Sequence, residues 1–216
     1  MNMLDLLKDK DLPRLFKEEV IPFRNLMLEY KCALKEIETK FEVLSEEFSL
    51  SYNRNPVESI KTRLKSVNSI VEKLARKGLP LKVQSIEDDM YDVAGVRVIC
   101  SFIDDIYDLV SMFTRQDDIK VIEVKDYIKN PKPNGYRSLH IIAEVPIFLS
   151  DRTKNVKVEV QFRTIAMDFW ASLEHEIKYK KNVNDQEVYD ELKSLATHAN
   201  DLDERMQNIR KKVMLK

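Results

Sequence analysis

KNVKVEVQFRT, residues 154–164, alternates without interruption: Val156, Val158, Val160 and Phe162 fall on one side, Lys157, Glu159, Gln161 and Arg163 on the other. Successive side chains of a strand point to opposite faces, so this is a β-strand with one apolar and one charged face. Taken alone, such a pattern reads as an ordinary half-buried strand with a solvated face. Three other runs read as strands: Val93 to Phe102, Lys120 to Val124 and Leu139 to Val145, alongside Val156 to Phe162. The run Val96, Val98, Ile99, Cys100, Phe102 is apolar enough for a sheet interior.

Working outward, helices occupy both ends. Residues 13–48 carry Phe23, Leu26, Met27, Tyr30, Leu34, Ile37, Phe41, Leu44 and Phe48 at a 3.6-residue period, the signature of a packing helix. A second helix is predicted from Asn55 as N-cap, with Pro56 in the first turn and Glu58 three residues after the cap, to a stop at Lys77-Gly78 and Pro80. Its expected apolar seam is Ile60, Leu64, Val67, Val71 and Leu74, and Arg63, Ser66, Ser69, Lys73 and Arg76 fall on a neighbouring face. Helices resume at about 164–180 and 185–212, the last with Val188, Leu192, Leu195, Ala199, Leu202, Met206 and Ile209 as its apolar side. The expected class is α+β, a mixed sheet between helical ends in a single domain spanning 1–216.

Composition excludes several functions. The 36 basic and 37 acidic residues nearly cancel, so no global attraction to nucleic acid or anionic membrane follows. No DNA or membrane partner is expected, RNA binding draws no support from net charge, and a cytoplasmic location is the simplest expectation. Two cysteines, Cys32 and Cys100, are too few for a disulfide framework and read as buried thiols. Only three glycines are present, Gly78, Gly95 and Gly135, so neither GxxxxGK[ST] nor GxGxxG can be written. Nucleotide phosphates, if bound, must be met by side chains.

Chemistry concentrates in two places. In DVAGVRVICSF, residues 92–102, Arg97 lies inside an interior strand and needs an anionic or stacking partner, because an unpaired buried guanidinium costs several kcal/mol. Were Asp92 and Glu159 to meet on neighbouring strands, carboxylates about 4 Å apart would repel by roughly 4 kcal/mol at an effective dielectric of about 20. A divalent cation relieves that repulsion, and Mg²⁺ fits because it takes one or two carboxylates and completes its shell with water and phosphate oxygens. In NPKPNGYRSLHIIAEV, residues 130–145, prolines and Asn134-Gly135 make a turn that delivers Tyr136, Arg137 and His140 to a strand.

DVAGVRVIC, KDYIKNPKPNGYRSLH, VEVQFRT and MDFWASLEHEIKYK, in this order, resemble the synthetase domain of the RelA/SpoT family, and in particular its small, single-domain alarmone synthetases. The resemblance covers nearly all of residues 20–213. It implies a nucleotidyltransferase-like mixed sheet flanked by helices, a homotetramer, and transfer of the β,γ-pyrophosphoryl group of ATP to the 3′-OH of GDP or GTP. Position by position it implies that Asp92 and Glu159 hold Mg²⁺, with Glu159 also orienting or deprotonating the 3′-OH. It further implies that Arg63 and Arg97 sandwich adenine, while Ser69, Lys73 and Arg76 contact ATP phosphates. Tyr136 would stack on guanine, Lys132 and His140 would meet acceptor phosphates, and Gln161 and Arg163 would line the same face. No His-Asp dipeptide occurs, so product hydrolysis is not expected. Ser59 stands where one branch of small synthetases has an aromatic used for product activation, and Glu123-Val124-Lys125-Asp126 replaces Arg-x-Lys-Asp, which leaves GDP or GTP preference open. The competing function is a catalytically silent module binding nucleotide or single-stranded RNA.

Overall fold

The computed structural model describes residues 20–52, 54–181 and 186–214. Helix α1 (Ile21–Tyr52) precedes strand β1 (Val57–Leu64), helices α2 (Val67–Arg76) and α3 (Val83–Asp89), β2 (Ala94–Cys100), α4 (Ile103–Thr114), β3 (Lys120–Asp126), β4 (Leu139–Phe148), β5 (Thr153–Thr164), α5 (Ile165–Lys181) and α6 (Gln186–Met214). The strands form one five-stranded sheet in the order β1-β2-β5-β4-β3. β2 and β5 run parallel and every other pair is antiparallel. The α+β class and the mixed sheet expected from the sequence are both present.

One face of the sheet is closed by α1. Its Tyr30, Ile37, Phe41 and Leu44 are buried over Val96 and Val98 of β2, Ile141 and Ala143 of β4, and Val158, Val160 and Phe162 of β5. Phe41 anchors this layer: its ring lies 4.8 Å from Phe113 and 5.4 Å, edge-on, from Phe162. Truncating a side chain so enclosed costs about 3–5 kcal/mol. The periodicity of residues 13–48 therefore marks the core helix correctly over its described part; residues 13–19 lie outside the described residues.

The second helix does not start at Asn55. Residues 57–64 form edge strand β1, paired antiparallel with β2, and the helix begins only at Val67, capped by the Ser66 hydroxyl. Asn55 does accept a backbone hydrogen bond, from the Val57 N–H at 2.9 Å, but as a turn into the strand. Ile60 and Leu64, four apart, satisfy a strand period as well as a helical one, and β-branched Val57, Ile60 and Thr62 favour the strand. Val67 and Val71, assigned to the seam, are exposed; Ile70 and Leu74 are the buried pair of α2. Its stop is where expected, with Gly78 at φ +68° after the Lys77 cap. Helix α4, to which no element was assigned, buries Ile106, Leu109 and Phe113 at helical spacing. In α6, Leu192 and Ala196 are the buried apolar residues, beside the buried polar Asp203 and Gln207, whereas Leu195, Leu202, Met206 and Ile209 of the expected apolar side face outward.

Candidate active site

The polar face of the sheet is organised by strand register into two rows. One crosses all five strands as Lys61, Arg97, Gln161, His140 and Lys125; the next runs Arg63, Gly95, Glu159, Ile142 and Glu123. A cleft of about 250 Å³ opens over the β1–β2–β5 part of these rows, lined by Lys61, Thr62, Arg63, Lys65, Asp92, Gly95, Val96, Arg97, Glu159 and Gln161. Five expected site residues, Arg63, Asp92, Arg97, Glu159 and Gln161, thus share one cavity. Gly95 stands between Arg63 and Glu159 in its row, and a Cβ built there would meet nothing closer than the Arg63 carbonyl oxygen at 3.7 Å.

Asp92 precedes β2. The Lys65 N–H donates to the Val93 carbonyl at 2.8 Å, extending the β1–β2 pairing by a step and bringing the Lys65 side chain beside Asp92. Lys65 and Lys73 both donate to Asp92 Oδ2, at 2.8 and 2.6 Å, while Oδ1 is buried and has no hydrogen-bond partner among the described residues. Burial pushes the Asp92 carboxyl up, but the two ammonium groups outweigh it and hold its pKa below the ordinary value. Lys65 escaped the sequence reading because residues 57–64 were read as helix. On a strand, Lys61, Arg63 and Lys65 alternate onto one face, and that period-two signal identifies it.

Glu159 is held differently. The Gln161 side-chain N–H donates to Oε2 at 2.8 Å and His140 Nδ1 lies 3.3 Å from Oε1. Burial raises its pKa; the contacts from His140 and Gln161 more than offset this, and the charge of Asp92 opposes them, for a net lowering. The far side of His140 meets the Tyr136 hydroxyl, 2.8 Å from Nε2, and that hydroxyl accepts from Arg163 Nη2 at 2.9 Å. The tautomer with its proton on Nδ1 faces that proton to Glu159 and leaves Nε2 to accept from the Tyr136 hydroxyl. Arg163 Nη2 also donates to Gln161 Oε1 at 3.1 Å. Arg163, Gln161, Glu159, His140 and Tyr136 therefore close a hydrogen-bonded ring.

Tyr136 reaches this ring from the loop between β3 and β4. Gly135 has φ +88°, and a Cβ there would lie 2.5 Å from Ala196 Cβ of α6, so both conformation and space demand glycine. Asn134 Oδ1 accepts from the Tyr136 N–H at 3.2 Å and its amide donates to Glu174 of α5, fixing the turn. Lys132 Nζ sits 4.8 Å from the Tyr136 ring centroid and 4.6 Å from that of Tyr127.

The anionic partner that Arg97 requires is Asp168, in the first turn of α5. Its Oδ1 accepts from Arg97 Nη1 at 3.1 Å and from Arg163 Nη1 at 2.9 Å, and Lys61 Nζ lies 3.4 Å from Oδ2. Nothing in the local sequence pairs residue 168 with residues 97 and 163; only the packing of α5 against the strand ends does. On α2, Lys73 reaches the cleft through Asp92, whereas Ser69, bonded by the Ser66 hydroxyl at 2.9 Å, and the exposed Arg76 stand outside the lining. Tyr136, His140, Lys132 and Arg163 lie on the adjoining β4–β5 side. No group of three or more His, Cys, Asp or Glu able to hold a metal occurs among the described residues, so a cation here would draw on two carboxylates and on substrate oxygens. The partnerless Asp92 Oδ1 fits that role.

Among the described residues no helix is long and apolar enough to cross a membrane. Residues 62–184 match a family model described as the region found in RelA/SpoT proteins. The chain is 51% identical over 193 residues to the GTP pyrophosphokinase YwaC of Bacillus subtilis (strain 168), covering 88% of this chain and 91% of that protein. Among solved structures, small alarmone synthetase 2 from Bacillus subtilis superposes with a TM-score of 0.81 at 49% identity, covering 88% of this chain and 98% of the other. Small alarmone synthetase 1 from the same organism, bound to its product pppGpp, gives 0.79 at 35% identity, covering 95% and 99%.

Proposed function

The chain belongs to the RelA/SpoT family, and from that premise we propose that the cleft over β1, β2 and β5 is where it joins two nucleotides. It is a GTP pyrophosphokinase, a small alarmone synthetase that transfers the β,γ-pyrophosphoryl group of ATP to the 3′-OH of GDP or GTP, giving ppGpp or pppGpp and AMP. The observation that carries the site reading is one cleft holding Glu159 and an Asp92 whose buried Oδ1 has no partner among the described residues, walled by Lys65, Arg63 and Arg97.

In this reading ATP lies on the β1–β2 side. Arg63 and Arg97 hold the adenine between flat guanidinium groups, and Lys65, Ser69, Lys73 and Arg76 meet the phosphates. Asp92 and Glu159 would hold Mg²⁺, which supplies charge neutralisation for the transferred group. The acceptor lies on the β4–β5 side, its guanine on Tyr136 and its phosphates near Lys132 and His140. The 3′-oxygen bonds to the β-phosphorus, its proton passes by way of the Glu159 carboxylate to solvent, the bond from that phosphorus to the α-phosphate oxygen breaks, and AMP departs with the electron pair. Glu159, ionised because its pKa is held low, accepts the hydroxyl as a hydrogen-bond donor and aligns it. So low a basicity makes orientation its main contribution, in keeping with phosphoryl chemistry that depends on alignment and charge.

Incubating the protein with ATP, Mg²⁺ and either GDP or GTP, then resolving AMP from the guanosine products, tests the reaction. Repeating it with Glu159→Val tests the site, because a folded variant that still turns over removes Glu159 from the chemistry. A homotetramer is the assembly we assign. It is supported by the apolar residues Leu195, Leu202, Met206, Ile209 and Val213, which recur on α6 at alternating heptad spacings and are exposed. Light scattering on a sizing column measures the mass directly. A cytoplasmic location completes the reading, in accord with its nucleotide substrates.

A further inference from the structure

We infer that Asp168 is a positioning residue that ties the donor nucleotide's binding site to the acceptor's, by holding Arg97 and Arg163 on a single carboxylate oxygen. The inference rests on the site reading above and extends it. Both guanidinium groups donate to Asp168 Oδ1, at 3.1 and 2.9 Å. They come from neighbouring strands: Arg97 is in β2 and Arg163 is opposite Ile99 in β5. Two like charges this close repel, and Asp168, nine-tenths buried, is the anion between them.

The two arginines serve different nucleotides. Arg97 lines the cleft beside Arg63, whereas Arg163 anchors the ring through the Tyr136 hydroxyl and Gln161. A guanidinium stacks well on a base only if its plane is fixed, and for Arg97 the fixing bond is the one to Asp168. A tyrosine face is presented to a second base only if its hydroxyl end is held, and the holder, Arg163, is itself held by the same oxygen. Asp168 touches neither nucleotide in this scheme; it acts through both arginines. Loss of its charge therefore weakens both sites while leaving Asp92 and Glu159 in place.

The test measures binding of the non-hydrolysable analogue α,β-methylene-ATP and of GDP to wild type, Arg97→Ala, Asp168→Asn and the double variant, with thermal unfolding of each. Asp168→Asn is expected to weaken each nucleotide by about tenfold, the scale of a lost charge-assisted hydrogen bond, and to raise KM for both more than it lowers kcat. In the Arg97→Ala background the added effect on the ATP analogue is expected to vanish, while that on GDP persists through Arg163. A folded Asp168→Asn that binds both nucleotides like wild type overturns the inference, and so does an undiminished loss of analogue binding in the double variant. If Asp168→Asn does not fold, Asp168→Glu decides: weaker binding at a near-wild-type Tm supports the inference, and wild-type binding overturns it. Arg97→Ala with unchanged analogue binding brings down the donor-site reading itself, a result distinct from failure at Asp168 alone.

Discussion

The two sides of the cleft are prepared in opposite ways. Around Glu159 both carboxylate oxygens are already matched, in a ring running through Gln161, Arg163, Tyr136 and His140, although Arg163 Nε of that ring has no partner among the described residues. Around Asp92 the matching is incomplete: two ammonium groups share one oxygen and the other is buried without a partner among the described residues. A closed network holds its geometry before substrate arrives and needs no reorganisation during reaction. A buried oxygen left over marks where something else must bind. The acceptor side is thus built to orient, and the donor side to receive a cation and phosphates.

That contrast can be broken at either end. The largest effect is expected from Glu159→Gln, which keeps the shape of the ring but removes its charge; turnover should fall about 10²–10⁴-fold with Tm nearly unchanged, measured as AMP release. Activity within tenfold of wild type would show that the ring is scaffolding. On the open side, Asp92→Asn should raise the Mg²⁺ needed for half-maximal rate by at least about tenfold, read from a metal titration at saturating nucleotides. An unchanged titration would assign the spare oxygen to something other than a cation.

Gly135→Ala sharpens the comparison from a distance. The new methyl group would meet Ala196 at 2.5 Å in a backbone conformation unfavourable to alanine, so about 1–3 kcal/mol of stability should be lost by denaturant titration. Because that turn carries Tyr136, KM should rise for GDP more than for ATP.

The smallest effects are in pH dependence. Asp92 and Glu159 have lowered pKa values in the fold, so each contributes stability above the ordinary carboxylate range that is lost as pH falls below about 4. Asp203, whose carboxyl accepts from Thr164 at 2.6 Å, is shifted upward by burial and has the opposite sign: its contribution is complete at low pH and is lost as pH rises through its folded pKa. Asp203→Asn should therefore gain about a degree or two in Tm at neutral pH and nothing in acid, by calorimetry across that range.

Legibility in the sequence follows the same division. The three interior strands and the core helix were readable because burial imposes a pattern that a single chain displays by itself, as Val156 to Phe162 do. β1 was not, since Asn55, Pro56 and Glu58 imitate a helix start and the Ile60–Leu64 spacing suits either structure. The need of Arg97 for an anion was readable from the cost of burying its charge. That the anion is Asp168 was not, because an ion pair spanning 71 residues leaves no periodic trace. The apolar side of α6 was readable as a stripe but not as an exposed one, since an apolar heptad looks alike whatever covers it.

Gly95 sits directly between Arg63 and Glu159, where the surrounding chain would tolerate a methyl group without collision. Its lack of a side chain thus lowers the floor of the cleft rather than easing the fold. A folded enzyme with alanine there would keep all its charged groups in order and yet have a shallower bed for whatever must lie across them.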